Sequence, residues 1–110
     1  MGLATISAPR LRRSVSSAEE DSHTAKSTGG RFFNGLVTSS AGSVTYLQLW
    51  DGGTSGTLVY YVPVGVNSYS GFDFGVNGVT METSIVVALS TTKTTFTTAG
   101  ASGWFVVNTD

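Results

Sequence analysis

From Arg31 onward, apolar side chains recur at alternate positions in short runs, and polar or glycine-bearing turns separate the runs. A period of two sends successive side chains to opposite sides of a pleated strand. The pattern predicts strands over Phe32–Ser40, Val44–Trp50, Thr57–Val66, Ser68–Val76, Val79–Ser90, Lys93–Thr98 and Gly103–Asn108. Within Val44–Trp50, Thr45, Leu47 and Leu49 share one side, and Tyr46, Gln48 and Trp50 the other. Asn34-Gly35 permits a bend or bulge near the start of the first strand. Pro63 has no amide donor, so its strand is predicted to lie at a sheet edge or to bulge there. Asn77-Gly78 has the signature of a two-residue hairpin turn.

Ser84–Thr98 carries the β signal furthest: six of its fifteen residues are threonine, and no glycine or proline interrupts it. Branched side chains of this kind suit a pleated ribbon, so the stretch is read as a hairpin. Gly35–Leu49 aligns with it without a gap, Leu36 on Ile85 and Leu47 on Phe96, as a duplicated hairpin or shared strand composition would give. Residues 1–30 differ: an Arg10, Arg12, Arg13 cluster precedes Glu19, Glu20 and Asp21, with no sustained period of either kind. Ser16 and Ser17 could cap a weak helix up to His23, but the simpler reading is an extended N-terminal arm over 1–30. The expected organisation is that arm, then an all-β domain over 31–110. That domain is read as an antiparallel β-sandwich, jelly-roll-like in its many short strands. Leu58–Val62, Ile85–Leu89 and Trp104–Val107 are apolar on both sides. A thin sandwich keeps one side in water, so either strand ends account for this or a second subunit covers it; we read the subunit.

Composition narrows the function. Charged residues make up 12% of the chain and the net charge is −1, so no global field favours nucleic acid or an acidic membrane. There is no cysteine, which removes disulfides, thiolate catalysis and thiolate metal sites. No apolar run approaches the roughly 20 residues of a membrane span, and no myristoylation or secretory signal is recognisable.

Candidate chemistry is sparse. His23 has no second ligand near it in sequence. Asp51, Asp73 and Glu82 could bring two carboxylates together for acid–base hydrolysis, but such residues more commonly occupy turns and strand ends. Asp51-Gly52-Gly53 could start a Ca²⁺ loop but lacks a partner series, and Asp73-Phe74-Gly75 copies a kinase tripeptide without the rest of a kinase. Trp50, Tyr60, Tyr61, Tyr69 and Trp104 could stack sugars, although burial is the commoner fate of such rings. No catalytic residue, cofactor or metal ligand is assigned.

Tyr46-Leu47-Gln48-Leu49-Trp50-Asp51, the Tyr61-Val62-Pro63-Val64 strand, Phe72-Asp73-Phe74-Gly75 and Ile85-Val86-Val87-Ala88-Leu89-Ser90 together resemble small all-β virion proteins of tailed bacteriophages. The resemblance spans about residues 32–108, and its motifs are structural. It implies a non-enzymatic protein at the capsid surface, a decoration or cement protein. The implied assembly is a homo-oligomer, a trimer, that binds the major capsid protein or another virion protein and neither nucleic acid nor membrane. A tail or head–tail connector component and a glycan-binding module are the rivals. The residues expected to meet partners are Arg10, Arg12, Arg13, Arg31, Trp50 and Tyr61.

Overall fold

The computed structural model describes residues 11–110. Among the described residues nine strands form: β1 (Arg12–Val15), β2 (Ser22–Lys26), β3 (Gly30–Ser39), β4 (Thr45–Asp51), β5 (Thr57–Val64), β6 (Tyr69–Asp73), β7 (Val79–Met81), β8 (Ile85–Ser90) and β9 (Gly103–Thr109). One sheet has the order β1-β9-β3-β6, with β7 also on β3; the other has the order β2-β8-β4-β5. Every pairing is antiparallel. Consecutive strands mostly alternate between sheets, and β4–β5 is the one pair of sequence neighbours hydrogen-bonded to each other. This is the winding of a jelly roll, two antiparallel sheets face to face.

Alternation decides what lies between the sheets. Phe32, Val37, Phe105 and Val107 come from the first sheet, and Leu47, Leu49, Val87 and Leu89 from the second. At β3 the register shifts between Phe32 and Asn34, the bulge anticipated at Asn34-Gly35. β5 is an edge strand, as Pro63 requires, and its bulge falls opposite Leu49/Trp50 instead.

Five readings, some of them alternatives, are corrected. Residues 12–26 are strands of the sandwich: β1 pairs with β9, β2 pairs with β8, and the expected boundary at 30/31 falls inside β3. No helix forms over 16–23, where Glu20 bridges Gly103 and Ser22 already begins β2. Asn77-Gly78 joins β6 and β7 without pairing them; both lie end to end along β3, and Gly78 rather than Asn77 takes positive φ. Lys93–Thr98 is not a strand, and its one ladder contact with β8 is a Ser90–Thr98 bridge. Nor is there a duplicated hairpin. β3 and β4 belong to different sheets, and the aligned Leu36 is exposed where Ile85 is fully buried. Branched residues signalled β structure in both stretches without specifying a partner.

Candidate functional site

The register of the first sheet stacks its outward side chains into three rows running across the strands. Arg13, Asn108, Asn34 and Asp73 form one row, and Val15, Val106, Leu36 and Gly71 the next. Trp104, Thr38 and Tyr69 form the third. In the polar row, Arg13 Nε donates to Asn108 Oδ1 (3.4 Å) and Asn108 Nδ2 to Asn34 Oδ1 (2.6 Å). The other two rows are apolar yet in solvent: Val15 is 45%, Leu36 42%, Trp104 40% and Tyr69 72% exposed.

The outer face of the second sheet is treated differently. Gln48, Trp50, Val86 and Ala88 point outward but are buried, because residues 91–98 fold back over them. Phe96 packs on the small apolar cluster of Trp50, Val86 and Ala88. The Gln48 amide nitrogen shares its hydrogens among the carbonyls of Thr92 (3.0 Å), Lys93 (3.0 Å) and Thr95 (2.8 Å). Its oxygen accepts the Trp50 indole N–H at 2.9 Å. Ser90 Oγ receives the amides of Thr92 and Thr97. The cover stops short of β5, leaving Tyr61, Pro63 and the half-buried Tyr46 and Leu58 on this face; the Tyr46 and Tyr61 rings meet edge to face. The chain therefore supplies its own cover for Ile85–Leu89, where a second subunit was expected, and among the described residues nothing covers an apolar patch on each outer face.

A polar network closes the β1/β2 margin between the sheets. His23 bridges the Glu20 carboxylate at Nδ1 and Ser14 Oγ at Nε2, the latter at 2.7 Å. Ser16 Oγ donates to the same Glu20 oxygen (2.9 Å) and accepts the Phe105 amide (2.9 Å). Ser14, His23 and Glu20 thus have the connectivity of a hydrolytic relay. Their placement is that of packing: Ser14 lies opposite core Val107, and His23 stacks on core Phe105 at 6.2 Å. What the network does is hold residues 12–26 in the sandwich, which their composition did not signal.

The other candidates are dispersed. Asp51 accepts the amides of Glu82 (2.8 Å), Thr83 (2.8 Å) and Ser84 (3.3 Å), which fixes the turn before β8. Those N–H donors, Glu82 first, hold its carboxyl below the usual carboxylate range. Its neighbour there is the Glu82 backbone, and Asp73 instead receives the Gly75 amide at 2.7 Å. Among the described residues no three His, Asp or Glu side chains come together as a metal site. Trp50, expected at a partner surface and as a sugar platform, is 5% exposed and offers neither. Tyr60 turns toward Phe72 and Phe74, edge to face at 5.6 and 5.5 Å. Arg12 and Arg13 alternate along β1 and so diverge, Arg31 lies on β3, and Arg10 lies outside the described residues. Sequence reasoning missed Gln48 and Ser16. A polar residue inside an apolar run was the available signal for Gln48; Ser16 was marked only as a possible helix cap, because its partner Phe105 is 89 positions away.

No protein-family profile and no curated protein matches this chain. Among solved structures it is similar to the coat protein of Tobacco streak virus, 13% identical with a TM-score of 0.47, over 99% of this chain and 91% of that one.

Proposed function

We propose that this chain is a structural subunit of a virus particle and, more finely, a capsid decoration protein of a tailed phage. The observation that carries the proposal is a pair of apolar patches on opposite faces that the described residues leave uncovered: Val15, Leu36, Tyr69 and Trp104 on one, exposed Tyr61 beside half-buried Tyr46 on the other. A binding module needs one such surface. A subunit that links a neighbour on each side needs two, and exposed apolar patches of this kind mark contact sites. The resemblance of the β4, β5 and β8 motifs to phage virion proteins favours the same class. The relay-like set at the β1/β2 margin serves the packing, and the remaining carboxylates serve turns.

The test is co-sedimentation of the purified full chain with expanded phage heads stripped of decoration. Saturable binding at a fixed ratio to the major capsid protein is expected, lost in Tyr61→Glu and retained in Thr24→Glu on an exposed position of β2. Failure to bind heads, with binding to tails or connectors instead, would move the subunit to the tail. Spontaneous closed shells formed by the chain alone would make it the coat itself.

A further inference from the structure

We infer that the outer face of the β1-β9-β3-β6 sheet docks on the same face of a second copy of this chain, about a two-fold axis parallel to the strands, with Arg13 of each copy against Asp73 of the other. This names the occupant of one of the two faces on which the proposed function rests.

The argument starts from one row. Arg13 is on β1 and Asp73 on β6, the two margins of the same sheet, and both belong to the row through Asn108 and Asn34. Three strand spacings separate them, roughly 14 Å, so they do not pair within a chain. The Arg13–Asn108–Asn34 hydrogen-bond chain lays the guanidinium along the face. A face with a positive left margin and a negative right margin at one height is complementary to its own copy turned about an axis along the strands. That rotation exchanges margins and keeps rows. Arg13 then meets Asp73 twice, Val106 meets Leu36, Val15 lies over Gly71, and Trp104 lies over Thr38. An axis across the strands instead sets Asp73 against Tyr69 and leaves both charges without partners, which burial penalises.

The apolar rows supply the attraction and the charges fix the register. From strand spacing and rise, the face projects to about 400 Å² per chain. Protruding Trp104 and Tyr69 raise the accessible area above that projection, which places the pair at the small end of specific interfaces. Such a unit dimerises weakly alone and is reinforced by contacts on its opposite face. Isologous pairing is also the commonest symmetry of homo-oligomers.

The chain lacks cysteine, which permits a direct test. In Arg13→Cys/Asp73→Cys, a short bismaleimide should give a covalent dimer with two intermolecular links, because facing sheets stand about 10 Å apart, beyond the reach of a direct disulfide. Arg13→Cys alone should cross-link poorly, because the two copies of that position lie about 17 Å apart across the strands and the interface. By sedimentation equilibrium, Trp104→Glu should weaken dimerisation at least tenfold. Arg13→Asp or Asp73→Arg should weaken it several-fold, and combining the two should restore it. A trimer, a monomer up to about 1 mM, or a charge swap that does not restore pairing overturns the inference. Should Trp104→Glu fail to fold, the cross-linking pattern still decides. Head binding through Tyr61 is read separately, so failure of one reading leaves the other standing.

Discussion

Asp51 illustrates how a residue with an apparent chemical use is taken up by the fold. It sits where a Ca²⁺ loop or a carboxylate pair was conceivable, yet its oxygens receive three amides of the turn into β8. Those bonds favour the ionised form, so its folded pKa lies below the unfolded value. A depressed carboxylate contributes stability that is complete above the unfolded pKa, about 3.9, and is lost as pH falls through the folded pKa. Asp110 acts in the same direction, through the Arg31 amide at 2.9 Å and Lys26. Denaturant midpoints should therefore fall between about pH 5 and pH 2, and Asp51→Asn should flatten that fall; an unchanged slope would remove Asp51 as a cause. The sequence named Asp51 as a residue of interest but could not say for what, because its three partners are about thirty positions away.

At the scale of elements, legibility followed burial pattern. β3, β4, β5 and β9 were readable because one side of each faces the core and alternation reports it. β1 and β2 were not. They are mostly exposed or half-buried strands at sheet margins, held by the Ser14–His23–Glu20–Ser16 network rather than by an apolar stripe. The threonine-rich 91–98 stretch failed for another reason: Thr92 Oγ1 bonds the Thr95 carbonyl at 2.6 Å, so its hydroxyls serve local turns that compete with a ladder. Gln48 is what binds this loop to the sheet. Gln48→Leu keeps the volume roughly but strands the Thr92 and Lys93 carbonyls and the Trp50 N–H, while the Thr95 carbonyl keeps the Ser90 and Thr92 hydroxyls. Unsatisfied buried groups cost about 1–3 kcal/mol, so urea unfolding should show a loss of about 2–3 kcal/mol. Hydrogen exchange should rise first in residues 91–98. Unaltered exchange there would mean that Phe96 packing alone secures the cover.

For the whole molecule, the sandwich places two exposed apolar patches on opposite outer faces, one for each contact of the proposed assembly. The first-sheet face presents Val15, Leu36 and Trp104, and the second-sheet face presents Tyr61 beside Tyr46, with the core between them. Both strand-face assignments follow from alternation, but which outer face stays open did not. Ile85–Leu89 and Leu58–Val62 look equally two-sided in sequence, and only the returning 91–98 loop distinguishes them. Because the core is close-packed and neither patch contributes side chains to the other, substitutions on the two faces should act independently. Trp104→Glu should abolish self-pairing yet leave an intrinsic affinity for capsid shells. Tyr61→Glu should abolish shell binding yet leave the dimer intact. The double variant should be a folded monomer with thermal stability within a few degrees of the parent, since both rings are partly exposed. Shell binding by a dimer also gains from two linked contacts, so Trp104→Glu should weaken apparent shell affinity through lost avidity. Tethering two copies by a flexible linker should recover that loss. Recovery without the tether would show that the first-sheet face contacts the shell directly.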